Sequence, residues 1–361
     1  MAAKPQSYRQ EQFEKDSVKY DELLDQLPYY VATWLNAKAA ANRKLSTRIA
    51  YAGDMLLFLR FCKDTNPLLK STEIRDIPHD FIAQLSSEDI IAFLAYLSGG
   101  RRSDGHRYDN ASQTRQRRLN SIRSFFKFET SHKYLKTNPA DGVESVKVEK
   151  DKYIRRLSVD QAVALTENVE NKSAISSDRR KKYTEHTEMR DAAIINLLLN
   201  TGLRISELVG LNLDDVDFNE MCLYVTRKGG STDRVYMGDD TAALLYDYIH
   251  LERANYQASD DEMALFLSMR KNRLQVRGVE RMLANYGKEA LPNFKNLHPH
   301  DLRRTYGTAL YDATHDIRLV ADVLGHESIT TTSKFYVDHK EESKRRAAGL
   351  NLFESKAQSP E

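Results

Sequence analysis

An interruption between residues 137 and 156 constrains the fold of this chain more than any other feature of its sequence. Pro139 and Gly142, in TNPADGV, end a long helical pattern, because proline lacks an amide donor and glycine favours turns. Residues 144–156 are then polar and charged, as in a linker between domains. The chain has 361 residues, more than one typical domain contains, so we predict two domains joined by this segment.

The residues before the interruption predict a bundle of helices. Capping residues are expected at Ser46 and Ser86. In the last pattern before the break, Leu119, Ile122 and Phe126 are expected to face the core. Apolar residues recur at helical spacing in YDELLDQLPYYVATWLNAKAA, LSTRIAYAGDMLLFLRFCK, LSSEDIIAFLAYLSGG and NASQTRQRRLNSIRSFFKFETSHKYL.

The residues after the interruption are also mainly helical, with one β-prone segment. A capping signature at Ser158 and Gln161 begins the second domain. MCLYVTRKGGSTDRVYM has two β-prone runs about Gly229 and Gly230, which is typical of a hairpin. We therefore predict a mainly α fold with a small β-sheet or hairpin in the second domain. The predicted division is an N-terminal tail at 1–20, a helical domain at 21–143, a linker at 144–156, a second domain at 157–345 and a C-terminal tail at 346–361.

Composition excludes several classes of protein. No apolar run approaches the roughly 20 residues that a membrane helix needs. The first residues lack the apolar core of a signal peptide, so we expect no export and no membrane association. Cys62 and Cys222 are too far apart to suggest a disulfide framework or a zinc site, which favours a reducing cytoplasm.

Positive charge is concentrated in one part of the first domain. The net charge of the chain is only +2, but residues 101–133 contain nine lysines and arginines against three acidic residues. Such a cluster is either a solvated helix face or an electrostatic footprint for a phosphate backbone. The candidate DNA-binding residues are Arg115, Arg117, Arg118, Arg123 and Lys127.

Polar residues in unusual contexts occur at separated points of the second domain. Glu207 follows Arg204 by one helical turn in TGLRISEL, and Lys228 lies beside the hairpin glycines. The histidines at 298, 300 and 326 fit no standard zinc spacing, so we expect no metal and no other cofactor. The candidate catalytic residues are Arg204, Lys228, His300, Arg303, His326 and Tyr336, with Glu207 in support.

Together these residue types suit cleavage of a phosphodiester. Arginines offer planar, permanently charged forks for the non-bridging oxygens. Histidine and lysine can transfer protons, and a tyrosine hydroxyl can attack phosphorus to give a covalent phosphotyrosine.

The motifs TGLRISEL, RKGG, PHDLRRTYGTAL and LGHESITTTSKFY, in this order, resemble those of the tyrosine recombinases, the integrase family. The resemblance covers nearly the whole chain and is greatest to the single-recombinase Xer type. It implies a two-domain, C-shaped DNA clamp with an N-terminal core-binding bundle and a C-terminal catalytic domain. It also implies a site-specific recombinase that cleaves and rejoins DNA through a 3′-phosphotyrosine and a Holliday junction, as a homotetramer on two double-stranded sites.

The resemblance further implies a role for each candidate residue. Arg204 and Arg303 would hold the phosphate, and Glu207 would support Arg204. His300 would assist proton transfer and His326 would donate to the phosphate. Lys228 would protonate the leaving 5′ oxygen, and Tyr336 would be the nucleophile.

Two departures from the family pattern bear on these assignments. The usual HxLRH motif ends here in Arg304, at a position that is not catalytic in the family. The nucleophile usually stands nine residues after the LGH histidine, where this chain has Phe335, and Tyr336 comes one residue later. One added residue rotates a helical side chain by about 100°. Phenylalanine cannot attack phosphorus, and Tyr311 lies too near PHDLRR, so Tyr336 remains the candidate.

Several questions stay open in the sequence. The biological role is either chromosome dimer resolution, and hence chromosome partition, or DNA integration and excision of a mobile element. An accessory or directionality protein is a further expected partner, and the expected location is the cytoplasm, with the nucleoid. Residues 346–361 are expected to dock in cis or in trans. The alternatives are a DNA-binding protein that does not cleave and a type IB topoisomerase-like enzyme that relaxes strands.

Overall fold

The computed structural model describes two separate units, residues 8–148 and residues 155–325. The division between them lies inside the segment that was predicted as a linker, 144–156. The fold is mainly helical with one small sheet in the second unit, as predicted. None of the described helices has the length and apolar character that a membrane crossing requires. The described residues are 8–99, 110–148, 155–170, 186–227, 230–259, 261–294 and 296–325.

The first unit is a helical bundle around an aromatic core. Phe58, Phe93 and Phe126 are fully buried, and the Phe58 ring meets the Phe93 ring edge to face at 5.2 Å. Its helices are α1 (Tyr8–Leu24), α2 (Tyr29–Ala40), α3 (Leu45–Thr65), α4 (His79–Ala83), α5 (Ser87–Gly99) and α6 (Ser112–Ser131), with 3₁₀ turns at Pro67–Leu69 and Ile74–Asp76.

The N-terminal tail predicted for residues 1–20 needs a correction. Helix α1 begins at Tyr8 and packs on α3, and Tyr20 is buried in the core. The helical pattern before residue 21 was missed because few of its residues are apolar. Residues 8–20 therefore belong to the bundle.

The predicted helix starts are partly confirmed. The Ser86 amide and hydroxyl both donate to the Asp89 carboxylate, at 2.8 and 2.9 Å, which caps α5. Ser158 and Gln161 exchange the reciprocal bonds of a capping box. The Ser46 cap is wrong, because α3 begins at Leu45 and Ser46 lies inside it.

The second unit surrounds one almost fully buried helix. The helices of this unit are α7 (Val159–Glu170), α8 (Glu188–Thr201), α9 (Ile205–Gly210), α10 (Asp239–Asp247), α11 (Val276–Ala290), α12 (Pro299–Thr314) and α13 (Ile317–Val323). The central helix, α8, packs against α7, α10 and α12, and its residues Ile194, Leu197 and Leu198 are completely buried. A π-helical turn at Tyr248–Glu252 and 3₁₀ turns at Leu213–Asp215 and Arg253–Tyr256 complete them.

The sheet of the second unit is antiparallel and contains the predicted hairpin. Strand β2 (Cys222–Thr226) pairs with β3 (Thr232–Tyr236), and the register places Thr226 opposite Thr232. A short first strand, β1 (Val216–Asp217), pairs with β2 and was not predicted. The hairpin turn therefore comes directly after Thr226.

We predict that Asp54 is a main polar support of the first unit. Its carboxylate accepts two bonds from Arg117, at 2.5 and 2.8 Å, and one from Ser121, at 2.6 Å, at a site where it is buried. Asp54→Asn removes the charge while keeping the size, and should lower the free energy of unfolding by roughly 1–3 kcal/mol. Urea unfolding followed by the fluorescence of Trp34, the only tryptophan of the chain, measures it.

Asp64→Asn is the matched control, because Asp64 lies on the same helix and is exposed. Its unfolding midpoint should stay at the wild-type value. Equal midpoints for the two variants would contradict a supporting role for Asp54.

Candidate active site

The junction between α8 and α9 places the first candidate arginine. Gly202 ends α8 with a left-handed backbone conformation, at φ +61°, in which residues other than glycine are strained. A Cβ at Gly202 would lie 2.5 Å from Cδ1 of Tyr306 on α12. Glycine thus allows α8 to contact α12 closely, and the chain turns there so that Arg204 caps α9.

Glu207 binds Arg204 through both of its carboxylate oxygens. Glu207 Oε2 accepts from the Arg204 backbone amide at 2.8 Å, and Oε1 accepts from Arg204 Nη1 at 2.7 Å. Glu207 is buried, whereas 31% of the Arg204 side chain is exposed. The buried carboxylate therefore fixes the orientation of the guanidinium, while part of the Arg204 side chain remains accessible to solvent.

Helix α12 carries His300 and Arg303 one turn apart. Pro299 is the first residue of the helix, and Asp301 Oδ2 accepts from the His298 amide at 3.0 Å, which caps it. Arg303 is buried, and its Nη1 donates to the Gly202 carbonyl at 2.5 Å. This bond ties α12 to the turn that precedes Arg204.

Three arginines hold three consecutive carbonyl groups at the C-terminal end of α13. Arg227 donates to the Val323 carbonyl at 3.1 Å, Arg303 donates to the Leu324 carbonyl, and Arg204 donates to the Gly325 carbonyl at 2.8 Å. The turn at residues 323–325 thus joins side chains from three separate parts of the unit. Gly325 is the last described residue before His326.

Arg227 was not among the candidates, although strand alternation pointed to it. Leu223 and Val225 are buried on the inner face of β2, and Arg227 lies two residues further on the same face. The neighbouring Lys228 was selected instead for its place beside the glycines. A buried arginine at the end of a strand requires carboxylate or carbonyl partners, and here it has both.

The surroundings of His300 disfavour its charged form. Partial burial lowers the pKa of the imidazole from its ordinary value of 6.5, and the positive charges of Arg304, Arg303 and Arg204 lower it further. Asp301 acts in the opposite direction and does not offset them. His300 is therefore neutral near pH 7, as a group that accepts a proton must be.

The structure brings some of the predicted residues together and leaves others outside its described part. Arg204, Glu207 and Arg303 meet around residues 323–325, and His300 lies close enough to both arginines for their charges to affect it. Tyr311 packs on a small cluster formed by Val320 and Leu324. The remaining predicted residues, Lys228, His326 and Tyr336, lie outside the described residues.

The five candidate DNA-binding residues all lie on α6, but three of them have structural partners. Arg117 and Arg118 both pair with Asp54, and Arg123 donates to the Val143 carbonyl and the Ser145 hydroxyl. Lys127 is exposed. Partial burial and the positive charges of Arg43 and Lys127 lower the pKa of Lys38, so both of these residues lie near Lys38.

The site is suited to an oxyanion rather than a metal ion. Within the described ranges, no group of three or more His, Cys, Asp or Glu side chains is placed to hold a metal. Three guanidinium groups meet at residues 323–325; two of them, Arg204 and Arg227, bind the buried carboxylate of Glu207, and Arg227 also binds the half-exposed Asp233. An excess of fixed positive charge beside a neutral imidazole can bind a phosphate group and stabilise charge that develops on it.

Comparisons with known proteins agree with this chemistry. The model of the phage integrase family matches residues 155–343. Tyrosine recombinase XerS of Streptococcus mutans is 31% identical over 344 residues, which cover 88% of this chain and 94% of that protein. Tyrosine recombinase XerC of Caldanaerobacter subterraneus is 31% identical over 341 residues, or 92% of this chain and 87% of that protein.

A solved structure shares the fold at lower identity. The Tn1549 transposon integrase, in complex with circular intermediate DNA, superposes with a TM-score of 0.62 at 20% identity. The match covers 88% of this chain and 98% of that one.

We predict that the titration midpoint of His300 lies below 6.5, because burial and the nearby arginines disfavour its protonation. In an NMR titration, the His300 signal is identified by its loss in His300→Gln. Arg304→Gln removes one of the positive charges and should raise the midpoint. A midpoint above 6.5 in the wild type would contradict the described surroundings.

The same shift has a consequence for stability. A lowered pKa in the folded state means that the unfolded chain takes up the proton first as the pH falls. Neutral His300 therefore makes its full contribution to the free energy of unfolding above about pH 6.5. This contribution decreases as the pH falls below 6.5 and through the lowered pKa. The unfolding free energy of the wild type should thus fall more steeply below pH 6.5 than that of His300→Gln.

Proposed function

Since the chain belongs to the phage integrase family and is a tyrosine recombinase, an enzyme of site-specific DNA recombination, we propose that it cleaves each strand through a 3′-phosphotyrosine link. The observation that carries the proposal is the convergence of Arg204 and Arg303 on residues 323–325. Leu324 and Gly325 are the first two residues of LGHESITTTSKFY, which ends in the proposed nucleophile.

We assign phosphate binding to Arg204 and Arg303. The accessible part of Arg204 is suited to direct contact with a non-bridging oxygen, because Glu207 holds the guanidinium in one orientation. Arg303 is buried, and it adds fixed positive charge to the site where negative charge develops at phosphorus. The fixed charge replaces the metal ion that other phosphoryl-transfer enzymes use.

The remaining catalytic steps are proposed for residues 228, 300, 326 and 336. Tyr336 attacks phosphorus, a new P–O bond forms, and the bond from phosphorus to the 5′ oxygen breaks. Neutral His300 assists removal of the tyrosine proton, and Lys228 gives a proton to the leaving 5′ oxygen. His326 donates to the phosphate. The covalent phosphotyrosine bond conserves the energy of the broken phosphodiester bond, so religation of the strand needs no cofactor.

The DNA partner is proposed to meet both units. Solved relatives of the same fold are bound to DNA, and a basic surface on the first unit supports contact with the duplex there. We propose a specific recombination site, a homotetramer on two such sites and a Holliday junction between the two strand exchanges. We also propose an accessory protein as a further partner and a cytoplasmic location. Residues 346–361 are proposed to dock in cis or in trans.

The biological role stays open between two uses of one reaction. Proteins named XerS and XerC are among the curated relatives, and the Tn1549 transposon integrase is one of the solved structures of similar fold. Dimer resolution and mobile-element integration use the same chemistry.

Tyr336→Phe should abolish covalent attachment to DNA, because phenylalanine has no hydroxyl to attack phosphorus. The substrate is a nicked suicide duplex, whose sequence is first selected from a random duplex library by retention on the wild-type protein. Denaturing gels then show the protein–DNA adduct.

Tyr311→Phe is the matched control and should form the adduct at the wild-type rate, since Tyr311 packs against Val320 and Leu324. An adduct formed by Tyr336→Phe would show that another residue is the nucleophile. Loss of the adduct in Tyr311→Phe alone would point to Tyr311.

Removal of positive charge near Lys127 should weaken binding of a random-sequence duplex. Each lost phosphate contact reduces the slope of log K against log salt by about 0.9, so Arg43→Ala with Lys127→Ala should reduce it by about 2. Arg117 is unsuited to this test, because its loss also leaves Asp54 without its main partner.

Lys70→Ala is the control, because Lys70 follows the far end of α3, about 30 Å of helix away from Arg43. It should leave the slope unchanged. An unchanged slope in the double variant would place the DNA contacts elsewhere on the bundle.

A further inference from the structure

Arg227 is the one buried guanidinium of the described site to which the proposed reaction gives no role. Only 10% of its side chain is exposed, so it is poorly placed to contact DNA. It nevertheless lies among the residues that are proposed to bind the phosphate. Its contacts therefore indicate an action through its neighbours.

The guanidinium of Arg227 reaches three partners in three directions. Nη1 donates to Glu207 Oε2 at 3.2 Å, Nε donates to Asp233 at 3.1 Å, and Nη2 donates to the Val323 carbonyl at 3.1 Å. A lysine could not do this, because its single nitrogen lacks the planar fork. Arg227 thus joins α9, the hairpin and the end of α13.

The contact with Glu207 is the one that bears on catalysis. Glu207 divides its two oxygens between two arginines: Oε1 accepts from Arg204, and Oε2 accepts from Arg227 and from the Arg204 backbone. A carboxylate that is held at both oxygens has little freedom to rotate. Arg227 thereby fixes the group that fixes Arg204.

Backbone contacts hold Arg227 itself in place. Its amide donates to the Ser231 carbonyl at 2.8 Å, and its carbonyl accepts from the Gly230 amide at 3.0 Å. On the other side, Gly325 packs directly on the guanidinium, and a Cβ there would lie 2.9 Å from Arg227 Cζ. Gly325 also has φ +59°, so both its conformation and this contact require glycine.

We infer that Arg227 is a positioning residue for the phosphate clamp, acting on Arg204 through their shared partner Glu207 and through residues 323–325. This inference rests on the proposed function of Arg204. Loss of Arg227 should leave Glu207 free to turn, so that Arg204 meets the phosphate in the wrong orientation. A displacement of about 1 Å is enough to slow a reaction about 100-fold.

A double-mutant cycle with Arg204 tests the inference. The measurement is the rate of covalent adduct formation on the selected suicide duplex. We expect Arg227→Ala to slow it by about 10- to 100-fold, and Arg204→Ala by 100-fold or more. If Arg227 acts through Arg204, the double variant should be no more than about threefold slower than Arg204→Ala alone.

A second substrate gives an independent readout. A methylphosphonate at the cleaved position lacks one negative charge, so it depends less on the clamp. The defect of Arg227→Ala relative to the wild type should therefore shrink to within about threefold on this substrate. A general loss of folding would slow both substrates equally.

Arg227→Lys provides a variant that retains the charge, in case Arg227→Ala does not fold. Since lysine cannot reach all three partners, we expect Arg227→Lys to slow adduct formation less than Arg227→Ala does. Its effect should likewise not multiply with that of Arg204→Ala, and it should likewise shrink on the methylphosphonate substrate. If the rate reduction in the double variant equals the product of the two single reductions, the two residues act independently and the inference is overturned. An unchanged rate in Arg204→Ala would instead refute the proposed phosphate clamp, and the inference with it.

Discussion

The structure of the site depends on the way in which three arginines hold the backbone turn at residues 323–325. Arg227, Arg303 and Arg204 each bind one of three successive carbonyl groups, and they come from the hairpin, from α12 and from the start of α9. Each bond is charge-assisted and at least partly shielded from water, which makes it stronger than an exposed one. The turn therefore cannot move without disturbing the hairpin, α9 and α12.

The same arrangement explains the electrostatic character of the site. Glu207 is buried between Arg204 and Arg227, buried Asp301 pairs with Arg155, and the half-exposed Asp233 offsets only part of the positive charge of the three arginines that hold residues 323–325. The excess positive charge also acts on His300, whose pKa is lowered by burial and by its arginine neighbours. A phosphate group would relieve this repulsion, so the site is preorganised for an anion before any DNA is bound.

The sequence predicted the fold class and the hairpin, and it named Arg204, Glu207, His300 and Arg303, which the described structure brings together. Periodic apolar residues and ordered motifs carry this kind of information. The part of helix α1 before residue 21 was missed because few of its residues are apolar, so no helical repeat of apolar residues marks it. Arg227 was missed because its importance depends on Glu207 and Val323, which are 20 and 96 residues away and contact it only in the folded chain.

The most direct test of the phosphate clamp is a structure of the Tyr336→Phe variant bound to the selected duplex. We expect the Arg204 guanidinium to lie about 2.7–3.0 Å from a non-bridging oxygen of the phosphate at the cleavage position, with Glu207 still bound behind it. The bonds from the arginines to residues 323–325 should persist. A phosphate held by other side chains, with Arg204 turned away from it, would contradict the account.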